Sequence, residues 1–217
     1  MDGTAELIRD RAPWALVSAR RDAGLYDAMN RGIEMCTGEV IAILNADDFY
    51  CAEDVLAEVA ATFVAYPEAD IVYGGLQYVD AEETDRVTRR WRPGPASRRA
   101  WRQGWMPPHP AVFVRASVYR ELGPYSTCLV SSADYEFLLR AMYFGGREAV
   151  YLDRILVSMR TGGVSNATLA NRLRANREDR RAWTLNDARA PLALALLKPL
   201  RKIHQWRWSR SLKSSRS

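Results

Sequence analysis

Residues 18–50 read SARRDAGLYDAMNRGIEMCTGEVIAILNADDFY, and this stretch decides the fold. Leu25, Ala28, Met29, Ile33 and Cys36 recur at helical spacing, which predicts a helix over 25–36 stopped by Gly38. VIAIL at 40–44 is an apolar, partly β-branched run bounded by turn residues, and reads as a buried strand. It ends abruptly in Asn45, Ala46, Asp47 and Asp48. Adjacent carboxylates repel each other, so their placement needs a reason. One reason is the dipole of the next helix, worth ~0.3–1 kcal/mol per acid. The next helical pattern begins near Ala52, however, which is late for Asp47 and Asp48 to cap it. The other reason is a bound cation. Hard ions such as Mg²⁺ or Mn²⁺ prefer oxygen ligands and take one or two carboxylates when phosphates supply the rest. Ligands of open α/β sheets bind beyond the carboxyl ends of strands, where this pair stands.

Working outward, residues 4–11 read as a helix and WALVS at 14–18 as a short strand. AEDVLAEVAATFVAYP at 52–67 is an amphipathic helix ended by Pro67, and DIVYGGLQYVD at 70–80 is a strand interrupted by glycines. This alternation predicts an α/β sheet with parallel order. Residues 81–106 are polar and rich in Arg, with Trp91, Trp101 and Trp105. AVFVR at 111–115 reads as a strand, ASVYRELG at 116–123 as a helix, SADYEFLLRAMYFG at 132–145 as a helix and AVYLDRILVSMR at 149–160 as a strand. TGGVSN at 161–166 is a loop, and the pattern from about 167 onward is helical and basic.

Further residues carry two readings each. Ser131 and Asp134 have the S-x-x-D spacing of a capping box, while an acid at a helix N-terminus also suits a general base. His109, among prolines in MPPHPAVF, is either structural or a ligand for a metal or phosphate. TGGVSN is either a plain turn or a nest of backbone N–H groups around an anion.

With 48% hydrophobic and 26% charged residues, the 217-residue chain has a globular balance, and disorder is not its default. The net charge of +5 is unevenly spread. Residues 171–217 carry thirteen Lys and Arg against three acids, whereas the preceding 170 residues net −5. A basic tail implies a solvated helix or an anionic partner such as a membrane surface or nucleic acid. PLALALLKPLRKIHQWRWSR mixes Leu, Ile and Trp with Lys and Arg, which suits an anionic headgroup layer better than nucleic acid. Its apolar run PLALALL is too short to cross a bilayer. Three cysteines, Cys36, Cys51 and Cys128, form no C-x-x-C and fit a reducing compartment. The first residues, MDGTAELIRDR, hold no apolar signal core. The expected location is cytoplasmic, peripheral on the inner face of the cytoplasmic membrane.

Taken in order, SARRDAGLYDAMNRGIEMCTGEVIAILNADDFY, WMPPHPAVFVR, SADYEFLLR and MRTGGVSN resemble the family-2 glycosyltransferases, over roughly residues 2–166. The subgroup that they resemble serves bacterial envelope or exopolysaccharide assembly. The resemblance implies a GT-A fold, a nucleotide-diphospho-sugar transferase α/β domain. It places Asp47 and Asp48 on a D-x-D-like motif, holding a divalent cation (Mg or Mn) against the donor diphosphate, with Asp48 the direct ligand. Asp22, Gly24, Asp27, Asn30 and Asp47 fall beside the nucleotide-sugar donor. Asp134 falls on the base that takes the proton of an acceptor hydroxyl, in a single displacement that inverts the anomeric centre. His109, Gly162, Gly163 and Ser165 fall on the acceptor side or over the diphosphate. The acceptor would be a saccharide or a lipid-linked one, and the basic tail would dock on the inner-membrane surface.

Two departures stand out. Ala19 and Arg20 replace the acid of the family's S-E-x-D pattern. Asp2, Gly3 and Thr4 follow Met1 at once, where family members first have a strand, a helix and a second strand. The expected organisation is therefore a GT-A domain lacking its first strand-helix-strand over 1–168, and a basic, Trp-containing helical tail over 169–217. Absent central strands would leave apolar edges open, so self-association and weak nucleotide binding are expected. The alternative function is a non-catalytic binding or membrane-docking module.

Overall fold

The computed structural model describes residues 3–162, 169–191 and 194. Helices α1 (Thr4–Arg11) and α2 (Leu25–Met35) precede strands β1 (Val40–Ala42) and β2 (Asp48–Tyr50). Helix α3 (Val55–Ala65) leads into β3 (Ile71–Val79), which turns back into β4 (Val87–Trp91). Then come α4 (Arg98–Arg102), a 3₁₀ turn at His109–Ala111, β5 (Val112–Arg115) and α5 (Ala116–Leu122). Helix α6 (Ala133–Leu138) continues as a π-helical turn over Leu139–Phe144, followed by β6 (Ala149–Arg160) and α7 (Leu169–Thr184).

The described strands form one mixed sheet in the order β1-β5-β3-β6-β2, with β4 on β3. Parallel order is corrected here. β3 and β6 are parallel, but β5 lies antiparallel between β1 and β3, and β2 runs antiparallel to β6. Strand-helix alternation in the chain fixes neither which strand inserts between two others nor its direction.

Strand β3 organises both cores. Its alternate residues face opposite ways: Ile71 and Tyr73 belong to one core, Val72 and Leu76 to the other. β5 divides likewise, with Val112 and Val114 against Phe113. Val55, Val59 and Phe63 of α3 cover the second face, while α2, α5, α6 and α7 contribute to the first. Burial on both faces makes β3 a near-continuous apolar run. Trp101 and Trp105 of the polar segment are buried in the first core, packed edge to face at 5.1 Å.

The glycines of β3 do not interrupt it. Pairing with β6 shifts register on both sides of Gly75. A Cβ on Gly74 would stand 2.5 Å from Leu156 Cδ1 and 2.9 Å from the Arg154 carbonyl oxygen. WALVS forms no strand: residues 16–20 are irregular, and Trp14 and Leu16 are 85% and 74% exposed. β-propensity alone does not make a strand without a hydrogen-bonding neighbour.

Helix α7 is joined to the body. Its Glu178 carboxylate accepts backbone N–H bonds from Val130 and from Ser131 (2.7 Å), and Trp183 donates to the Tyr135 hydroxyl at 3.0 Å. The Lys- and Trp-bearing stretch from 195 to the end lies outside the described residues.

Replacing Gly74 by Ala is expected to lower stability by about 1–3 kcal/mol, because backbone as well as side chain must yield. Urea unfolding of the variant against wild type measures it.

Candidate active site

The carboxyl ends of β1, β3 and β6 lie at the same end of the sheet, as the strand directions require. The turn after β1 carries the paired acids. Its geometry is local: the Asp48 N–H donates to the Asn45 carbonyl at 3.0 Å, and Asn45 Nδ2 donates to Asp48 Oδ2 at 2.8 Å. Asp48 is buried while Asp47 is exposed. Helix α3 begins only at Val55, so neither acid caps it. Burial raises the Asp48 carboxyl pKa, Asn45 opposes that shift, and the charge of Asp47 adds to it. A divalent cation would relieve this buried, like-charged arrangement. Among the described residues no cluster of three or more His, Cys, Asp or Glu could hold a metal. Two carboxylates would suit a hard cation whose remaining ligands come from phosphate and water. Asp48 pairs with Met159 of β6, and the chain leaves β6 through Thr161, whose N–H donates to Val79, to reach Gly162. Gly162 is thus brought to the same end of the sheet as Asp48. Gly163 and Ser165 lie outside the described residues.

Asp134 sits in the first turn of α6, and the capping box is not formed. The N-cap is Ser132, whose hydroxyl donates to Ala175 of α7 at 3.3 Å, and Ser131 gives its N–H to Glu178. Asp134 Oδ1 instead accepts from the Tyr26 hydroxyl at 3.0 Å, across 108 positions of sequence. His109 shares a hydrogen bond of 2.8 Å with the Tyr125 hydroxyl, which in turn meets that of Tyr119 at 3.0 Å. Burial lowers the His109 pKa, and the nearby Asp134 charge opposes the shift. His109, held by the Tyr125 hydroxyl, lies within electrostatic reach of Asp134.

The α2 residues divide. Gly24, with φ +148°, is the N-cap of α2. Asp27 accepts the Ala23 N–H at 2.9 Å, and the Arg31 guanidinium lies 3.6 Å from Asp22 and 3.9 Å from Asp27. These acids remain partly exposed. Asn30 is different. It is buried, its amide donates to the Tyr125 carbonyl at 2.9 Å, and its oxygen accepts the Tyr125 N–H at 2.9 Å. Both ends of its side chain are bound to the Tyr125 backbone, which Asn30 thereby fixes.

A sequence model of glycosyl transferase family 2 matches residues 1–122. The chain belongs to this family. Asp134 and Tyr125 lie beyond the matched segment. A PGL/p-HBAD biosynthesis glycosyltransferase of Mycobacterium bovis BCG is 29% identical over 153 residues, covering 67% of this chain and 54% of that protein. An uncharacterized glycosyltransferase of Mycobacterium tuberculosis is 31% identical over 147 residues, covering 67% and 53%. The family-2 chain thus spans about half the length of the curated relatives it matches. Staphylococcus aureus TarS, solved with UDP-GlcNAc, superposes with a TM-score of 0.62 at 15% identity, over 85% of this chain and 53% of that one. A mannosyltransferase of Pyrobaculum calidifontis, solved with GDP-Man and Mn²⁺, gives 0.56 at 17% identity, over 100% and 64%. The fold of this family-2 chain is GT-A.

Tyr26, Asn45, Tyr125 and Glu178 were not among the residues that the sequence singled out for a role. Tyr26 recurs one turn before Asn30, which reads equally as core. Asn45 was legible as the residue before the acids, but its bond to Asp48 was not.

Asn30→Ala leaves the Tyr125 N–H and C=O without their partner, which is expected to cost about 1–3 kcal/mol for each group left unsatisfied. Unfolding without any ligand measures this. A residue that served only to touch a donor would leave apo stability unchanged.

Proposed function

We propose that the protein transfers a sugar from a nucleotide-sugar donor to a hydroxyl of a saccharide or lipid-linked acceptor in cell-envelope polysaccharide synthesis, with inversion and with a divalent cation. The observation that carries this reading is the separation of roles among the acids. Asp47 and Asp48 form a tight turn at the carboxyl end of the sheet, while Asp134 is released from helix capping and held by Tyr26. Membership of the family and the GT-A fold support it.

In this reading Asp48, with Asp47, holds Mg²⁺ or Mn²⁺, and Asp22, Gly24 and Asp27 lie beside the donor. Asn30 contributes through Tyr125. When bound, the cation neutralises charge developing on the departing nucleotide diphosphate. Asp134 takes the proton of the acceptor hydroxyl as its oxygen bonds to the anomeric carbon. The bond from that carbon to the diphosphate breaks on the opposite face, which inverts the centre. His109 and Gly162 lie on the acceptor or diphosphate side. No helix among the described residues is long and apolar enough to cross a membrane. Membrane attachment in this reading belongs to the basic, Trp-containing tail, on the inner face of the cytoplasmic membrane.

Mutagenesis separates these roles. Asp134→Asn is expected to lower transfer at least a hundredfold, within the usual range for a general base, while sparing donor binding. Asp48→Ala is expected to abolish the Mn²⁺-dependent part of donor binding, followed by calorimetry with UDP-GlcNAc and GDP-mannose as probes. Normal transfer by both variants would sink the reading. Donor and acceptor binding without transfer by wild type would favour a non-catalytic module.

A further inference from the structure

We infer that Tyr26 is a positioning residue for the proton-accepting carboxylate: it holds Asp134 through Oδ1 and leaves Oδ2 for the acceptor hydroxyl. The inference rests on the reading of Asp134 as the base. Among the described residues, Tyr26 supplies the one side-chain hydrogen bond to that carboxylate, at 3.0 Å. Because Asp134 is in the first turn of α6, the phenol oxygen sits at the amino end of that helix. There it donates to the carboxylate.

The ring itself is fixed. Tyr26 is 6% exposed and packs at 5.8 Å, tilted by 43°, on Tyr125. One turn further along α2, Asn30 binds both backbone groups of Tyr125. Two residues on one face of α2 therefore grip the two sides of the base: Asn30 the Tyr125 loop, and Tyr26 the carboxylate. Burial, and next the charge of Asp134, raise the Tyr26 pKa far above the usual phenol range. The hydroxyl stays protonated and remains a donor at any working pH. Among the described residues, His109, whose pKa burial lowers, and the buried Tyr125 also lie within electrostatic reach of Asp134. Neither is bonded to the carboxylate, so Tyr26 alone among them is placed to orient it.

Tyr26→Phe keeps the ring and removes the hydroxyl. Nucleotide release from UDP-GlcNAc and GDP-mannose with Mn²⁺, water standing in for the acceptor hydroxyl, compares wild type, Y26F, D134N and the double variant. Y26F is expected to lower kcat about tenfold, the worth of one hydrogen bond to a charged group, with donor KM within about twofold. The acid limb of its pH–rate profile is expected to move to higher pH, because the charged form of the base has lost a donor. The double variant is expected to be no slower than D134N alone. If D134N turns over like wild type, or wild type turns over neither donor, the proposed function falls and this inference with it. If D134N is inactive while Y26F keeps wild-type kcat, or is slower with an unmoved acid limb, the positioning role falls alone and the bond is structural.

Discussion

The structure depends on the burial of β3 on both of its faces. β3 pairs with β4, β5 and β6 and divides its side chains between two cores. A strand in that position cannot tolerate a polar face, and its backbone groups must be satisfied by neighbours on both sides. Gly74 and Gly75 allow β6 to approach closely and change register, which carries β6 past β3 to its pairing with β2. Asp48 is the first residue of β2, so its place at the sheet end follows from the path of β6. The paired acids are thus held by a short strand that exists because two distant ones are correctly packed.

The second half of the site is built by competition for hydrogen bonds at the start of α6. In an isolated helix Ser131 or Asp134 would take the first-turn N–H groups. Here α7 intervenes. Glu178 captures the N–H groups of Val130 and Ser131, and Ser132 turns its hydroxyl to Ala175. Asp134 is left to accept from Tyr26. A second clamp works from behind: Glu136 pairs with Arg140 at 3.0 Å, and Arg140 donates to Pro124 at 2.9 Å and also to Leu122. Because Pro124 adjoins Tyr125, α6 and the Tyr125 loop are tied together twice, once through Arg140 and once through α2.

Much was legible from the chain. Helices α1, α2 and α5 and strands β5 and β6 fall within one residue of the segments read from periodicity, since their apolar spacing has a single good solution. The turn after β1 was legible too, because Asn45, Asp47 and Asp48 interrupt an apolar run and helix α3 begins too late to use them. The misreadings have a common cause. WALVS had strand composition but no partner, and SSAD had cap spacing but other hydrogen-bond partners. In each case the local pattern was real and a distant residue decided its use.

The amino-acid sequence by itself determined the alternation of strands and helices and the family, and singled out Asp47, Asp48 and Asp134, because these are written in local spacing and residue type. Only the tertiary structure decided the direction of β5, the burial of Asp48 beside an exposed Asp47, and the bond from Tyr26 to Asp134. Those depend on contacts between segments up to 108 positions apart. Such contacts form when apolar faces are buried together, and the polar groups brought along then choose among partners that no local pattern names.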